Sequence, residues 1–358
     1  MKEFFKHVAA TIVGIFAFGI IMGILAFISL LGMMMNSSKP TVKDNSVLVM
    51  KLQGDIAEKS EDNLIGQLTG NKINQLGLNS ILESIKKAKG DKHIKGIYIE
   101  TGILESDYAT LQEIRNALLD FQKSGKWIIA YGDMMTQGGY YLASAANKIY
   151  LNPEGSIDWH GLAANPMFLK DLYAKFGVKF TVVKVGKFKS YTEQYTEEKM
   201  SDANREQVTR YINGLWQQLL TDVSNSRKIN KDSLNHYADG IMMVEDAKKI
   251  QQYKMIDGLC YYDQIKDVVK KQLGIDKDEA INQMSIDEVN ETIEDNHAGD
   301  AIAVYYCEGG ITRQATTSIV GAGPEIVSTD VIADLDELAD DDDIKAVVIR
   351  INSGGGDA

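Results

Sequence analysis

Hydrophobic and polar positions change period several times along the chain, and each change marks an element. Residues 8–38 carry no charged side chain and are mostly Ile, Leu, Phe, Ala, Gly and Met. A helix over such a run matches a hydrocarbon core of roughly 30 Å, so one membrane-spanning anchor is predicted over residues 8–35, after a short N-terminus, 1–7. The rival is a cleaved leader, whose apolar region would span about 7–15 residues and end in a small-residue site. This run is longer and ends in Met33-Met34-Met35-Asn36, which favours an uncleaved anchor. Lys2 and Lys6 precede it and Lys39 and Lys43 follow it, so flanking charge leaves the orientation open.

Past a polar linker, 36–45, strand and helix periods alternate. Val47 to Leu52, Ile94 to Ile99 and Trp127 to Tyr131 read as strands rich in β-branched and aromatic residues. Leu78 to Lys89, Tyr108 to Ser124 and the small-residue segment Gly139 to Asn147 read as helices between them. From Ser201 a long amphipathic helix is predicted by Val208, Tyr211, Ile212, Leu215, Trp216, Leu219, Leu220 and Val223, a stripe suited to packing. This alternation predicts an α/β domain with largely parallel strands over 46–275. An acidic connection follows at 276–299.

The pattern then restarts. Asp300 to Tyr306 resembles Asn45 to Lys51, and Gly309-Gly310-Ile311 echoes Gly54-Asp55-Ile56, 255 positions on. Ile344 to Ile349 matches Ile94 to Ile99 at a spacing of 250. Two nearly equal spacings predict repetition of a whole domain, with 300–358 as the start of the second copy. Because Ala358 follows directly on a strand and a glycine turn, the chain is expected to be a fragment.

Composition narrows the chemistry. A net charge of −12 excludes the basic surface that nucleic acid requires. Five scattered histidines and two cysteines, Cys260 and Cys307, show no metal-ligand spacing, so neither metal nor cofactor is expected. The cysteines read as two unrelated buried thiols. The run Asp340-Asp341-Asp342-Asp343 lacks the alternating ligands of a calcium loop and reads as a solvated turn.

Three segments carry a resemblance: Gly139 to Ile149 with Leu151-Asn152-Pro153-Glu154-Gly155; Val185-Gly186-Lys187-Phe188-Lys189-Ser190 leading into Met200-Ser201; and Arg350-Ile351-Asn352-Ser353-Gly354-Gly355-Gly356. In this order they resemble the long, duplicated form of the signal peptide peptidase (protease IV) family. The resemblance implies a ClpP/crotonase-like spiral of ββα units, duplicated and preceded by one transmembrane helix. It implies a serine endopeptidase with a Ser–Lys dyad that degrades cleaved signal peptides. It further implies a single-pass protein of the bacterial inner membrane, its catalytic part extracytoplasmic, assembled as a homo-oligomeric ring or bowl. Carried over by motif, the general base falls on Lys189 and the nucleophile position on Asp357, with Gly355 and Gly356 in the oxyanion turn.

The residues agree with that chemistry in part. Lysine activates a serine hydroxyl only when neutral, so its pKa must fall from about 10.4 through burial or neighbouring positive charge. If a strand runs on from Thr181, Lys189 shares a face with Val183 and Val185, and Lys184 and Lys187 supply the charge. Glycines after a strand leave backbone N–H groups accessible to an oxyanion. The departure lies at the nucleophile. Where the family has Asn-Ser-Pro-Gly-Gly-Ser, this chain reads Asn352-Ser353-Gly354-Gly355-Gly356-Asp357. Aspartate has no hydroxyl to acylate, so either the nucleophile has moved, Ser353 being four residues early on the turn, or the chain is an inactive homologue serving as a membrane scaffold or binding protein. A crotonase-type acyl-CoA enzyme is disfavoured by the anchor, the Lys189 segment and the repeat. The chain by itself is expected to be inactive.

Overall fold

The computed structural model describes residues 2–35, 41–60, 76–240, 242–292, 299–315 and 324–357. It divides into two units, Met1–Thr41 and Val42–Ala358. The first is one helix, α1 (Lys2–Met35). No helix of the described residues is long and apolar enough to cross a membrane. Of the linker, 36–40 lies outside the described residues, as does 293–298 of the acidic connection.

In the second unit β1 (Ser46–Gly54), β4 (Ile94–Leu104), β5 (Trp127–Met135) and β6 (Lys148–Ile157) form the middle of a six-stranded sheet of order β7-β6-β5-β4-β1-β8. Its edges are β7 (Gly258–Leu259) and β8 (Gln283–Met284), and every pairing is parallel. Strands covered on both faces read as continuous apolar runs. Accordingly Leu48, Met50, Leu52, Ile97 and Ile99 bury against α2 (Leu78–Gly90), α3 (Tyr108–Gln122) and α4 (Gln137–Ala143). Val47, Tyr98, Ile129 and Tyr131 bury on the other face beneath a helix over Ile265–Leu273. Gly96 permits this packing, since a Cβ there would lie 2.3 Å from the Trp127 ring.

The acidic stretch 276–299 is more than a connection. Its β8 pairs with β1, and the helix Ile286–Thr292 buries Ile286 and Val289. The apolar spacing outweighs the local acidity there, because Asp287 and Glu288 point away from the buried side.

The strand pairings over 301–352 resemble those over 46–104. β9 (Ala301–Glu308) pairs with β12 (Ile344–Asn352) as β1 pairs with β4. Ser46↔Ile94 slips one residue to Val47↔Gly96, and Ala301↔Ile344 slips identically to Ile302↔Ala346. The pair β2 (Ile56–Ala57) and β3 (Leu76–Gly77) is matched by β10 (Gly310–Thr312) and β11 (Glu325–Val327): Ile56↔Leu76 against Ile311↔Ile326. Helices Leu78–Gly90 and Ser328–Asp340 are both 13 residues long. Even the turns agree: Asp91 accepts from the His93 N–H at 2.6 Å, and Asp341 from the Asp343 N–H at 2.9 Å. Ile302, Val304, Val348 and Ile351 of the later arrangement are exposed, whereas β1 and β4 are covered.

Candidate active site

Lys189 lies on a long arm between β6 and the helix α7 (Asp202–Arg227), an arm that also carries the short helices α5 (Lys170–Lys175) and α6 (Glu193–Thr196). The strand expected from Thr181 does not form. Residues 179–185 make no regular structure, Val183 and Val185 are almost fully exposed, and Lys189 is exposed as well. The desolvation expected for the base is therefore not supplied by its own segment. The β-branched run Thr181-Val182-Val183-Lys184-Val185 reads as a strand, but within the described residues this one has no neighbour to pair with.

The arm is fastened at its far end by Glu193, which the sequence did not single out. Its carboxylate accepts from the Ser201 N–H at 3.1 Å, the Ser201 hydroxyl at 2.7 Å and the Asn204 amide at 3.0 Å, and Lys184 lies 3.8 Å away. Burial opposes its charged form, yet those donors outweigh it and hold the carboxyl below the usual range. Ser201 also caps α7, its oxygen accepting from the Asn204 N–H at 3.1 Å. Tyr173, Phe180 and Tyr195 stack into a small aromatic cluster within the arm, with Phe180 and Tyr195 centroids 5.0 Å apart. On α7 only the later part of the predicted stripe, Leu219, Leu220 and Val223, is buried, while Tyr211 is exposed. The open part borders a groove shared with Phe188, beside Lys189.

The glycine turn after β12 is held by β10. The Ser353 hydroxyl donates to the Gly309 carbonyl at 2.6 Å and accepts from the Gly355 N–H at 3.0 Å. Ile311 donates to the Gly355 carbonyl at 3.1 Å and accepts from the Asp357 N–H at 2.8 Å. Gly355 has φ +101°, a left-handed conformation suited to glycine, and at Gly356 a Cβ would lie 2.1 Å from the Ile311 carbonyl oxygen. Both glycines are thus demanded by the backbone. The Gly355 N–H is engaged by Ser353 and is not offered to an oxyanion in this conformation. Ser353 itself is spent on the turn, which argues against a nucleophile displaced to that position. Asp357 is exposed and pairs with Arg313 at 3.5 Å. No hydrogen bond or ion pair among the described residues joins Lys189 to Asp357.

One cluster couples the segment 301–352 to the first domain. Arg350 of β12 pairs through Nε and Nη2 with Glu58, the latter at 3.2 Å. It also reaches Glu113 through Nη1 at 3.1 Å and Nη2 at 2.8 Å. Asn352 donates to Glu58 at 3.2 Å, and the Glu58 side chain is 6% exposed. Its two carboxylates push the Arg350 pKa further upward.

A six-stranded parallel sheet covered on both faces defines the class: an α/β protein. Residues 120–276, which include Lys189, match the model of peptidase family S49. The chain is 33% identical over 338 residues to Protease 4 of Salmonella typhi, covering 90% of this chain and 54% of that protein. It is 28% identical over 322 residues to the chloroplastic serine protease SPPA of Arabidopsis thaliana, covering 88% of this chain and 46% of that one. Protease 4 of Haemophilus influenzae is 27% identical over 353 residues, covering 94% and 57%. The chain belongs to peptidase family S49, and it spans about half the length of these curated relatives.

Proposed function

We propose that the chain is part of a membrane-anchored serine endopeptidase that cleaves released signal peptides and other short apolar segments, with Lys189 as the general base. The observation that carries this reading is the Lys189 arm. It lies inside the matched S49 segment and is tied by Glu193 to the cap of α7, so its root is fixed while its tip is presented outward. An outward lysine needs a second surface to exclude water around it. The likeness of the segment 301–352 to 46–104 supports a duplicated protein whose domains supply that surface to one another. In the completed site the neutral amine takes the proton of a serine hydroxyl as that oxygen attacks the peptide carbonyl. The resulting ammonium then protonates the departing amine. The α1 helix would anchor the assembly, since residues 8–35 lack charge, and the domains would stand outside the cytoplasm.

The test is hydrolysis of an apolar signal-peptide substrate in detergent by the intact gene product. Loss of turnover in K189A, with assembly and melting unchanged, supports the reading; full turnover in that variant refutes it. A second reading rests on Asp357, which the family resemblance puts at the nucleophile position and which pairs with Arg313. It makes the protein an inactive homologue that binds peptides or organises other membrane proteins. Turnover that appears only in D357S would establish that alternative.

A further inference from the structure

The shared register relates the Glu58–Arg350 pair to a second pair of residues. Glu58 directly follows Ala57, which pairs with Gly77; Arg313 directly follows Thr312, which pairs with Val327. Glu58 and Arg313 are therefore equivalent. Arg350 faces Tyr306 across the ladder as Glu100 faces Lys51, at the same step beyond the shared slip, so Arg350 and Glu100 are equivalent.

Within one chain the first segment presents the carboxylate of Glu58 to the guanidinium of Arg350 in the second. At the equivalent positions both signs are reversed: the second segment has Arg313 and the first has Glu100. Reversal of one sign alone would set like charges together if the contact were repeated, whereas reversal of both preserves complementarity. We propose that chains associate head to tail, Arg313 of one chain meeting Glu100 of the next in the geometry that joins Glu58 to Arg350. This rests on the reading of the chain as a duplicated, self-assembling protein. It adds which surface meets which.

The local state of both residues suits the role. The Arg313 side chain is 73% exposed and pairs with Asp357 at 3.5 Å. That pairing leaves the assignment intact, because Arg350 itself serves two carboxylates, Glu58 and Glu113. Glu100 is 27% exposed and has Lys51 only at 4.0 Å. A contact of this kind uses different surfaces on its two sides, so it propagates from chain to chain and closes into a ring where the rotation permits.

The experiment is sedimentation of the intact gene product in detergent, as wild type, E100R, R313E and the double variant. Each single reversal is expected to weaken self-association about tenfold or more, and the double variant to restore it. Separately tagged E100C and R313C chains, once mixed, are expected to form a disulfide-linked dimer carrying both tags. A monomeric wild type would overturn both the assembly reading and this interface. A wild-type oligomer insensitive to R313E, or no rescue in the double variant, would overturn the interface alone. Rescue also shows that the single variants fail by charge rather than by misfolding, and none of these readouts depends on peptidase activity.

Discussion

Replacing Arg350 by alanine should loosen the segment 301–352 from the first domain while leaving the central sheet intact. Four hydrogen bonds tie the guanidinium to Glu58 and Glu113. Its removal leaves Glu58, 6% exposed, with Asn352 as its remaining side-chain donor among these contacts. Stranding one member of a fully buried pair costs about 3–5 kcal/mol. Arg350 is 29% exposed and Asn352 still donates, so the expected loss here is about 2–3 kcal/mol. Hydrogen exchange reads this directly. Amides of β9 and β12 should exchange roughly 30- to 150-fold faster if they open locally, while β4 and β5 keep their protection. In E58Q one acceptor oxygen persists, but the charge and the second acceptor are lost and an NH2 donor faces donors, so β9 and β12 should exchange faster there as well. Unchanged protection of β12 in R350A, or equal loss throughout the sheet, would refute the assignment of this cluster as the tie.

Other outcomes follow from the same contacts. G96A should lower stability by about 2–3 kcal/mol, because its Cβ would overlap the Trp127 ring and force the side chain off its rotamer; thermal melting measures it. E193A should release the arm and make proteolysis within residues 160–200 at least several-fold faster, with the core fragment unaffected. Glu193 also sets a pH dependence. Its native pKa is depressed, so its stabilisation is complete above the ordinary value of 4.5 and fades as pH falls through the lower native value. Arm protection should therefore decline in that acidic window in the wild type and not in E193Q. Asp257, whose burial is outweighed by the Ile149 N–H and by Arg227, is also depressed and should add to acid lability through the β6 edge.

The sheet was legible because its strands are buried on both faces: runs such as Val47 to Met50 and Ile94 to Ile99 carry their burial in plain composition. The long helix was legible from its stripe and from Ser201, whose hydroxyl caps it. Less was legible where the fold depends on surfaces supplied by distant segments. The β-branched run Thr181-Val182-Val183-Lys184-Val185 reads as a strand, but a strand needs a neighbour, and the arm has none among the described residues. Acidic composition disguised the helix Ile286–Thr292 because burial there turns on Ile286 and Val289 alone. Glu193 escaped notice because its donors, Ser201 and Asn204, come into reach only once α7 has formed. The Glu58–Arg350 pair spans 292 positions, and no local pattern announces it. The motif residues were placed in sequence by resemblance. The geometry adds that Ser353 and Gly355 are committed to the turn and that Asp357 has Arg313 beside it.

The measurement that bears most directly on the central claim is covalent labelling of the intact gene product with a fluorophosphonate serine probe, alongside K189A. The account predicts labelling of one serine in the assembled protein, abolished by K189A, with the adduct mapped to a site that Lys189 reaches. A folded, assembled protein that takes up no probe, or labels equally well without Lys189, would contradict it.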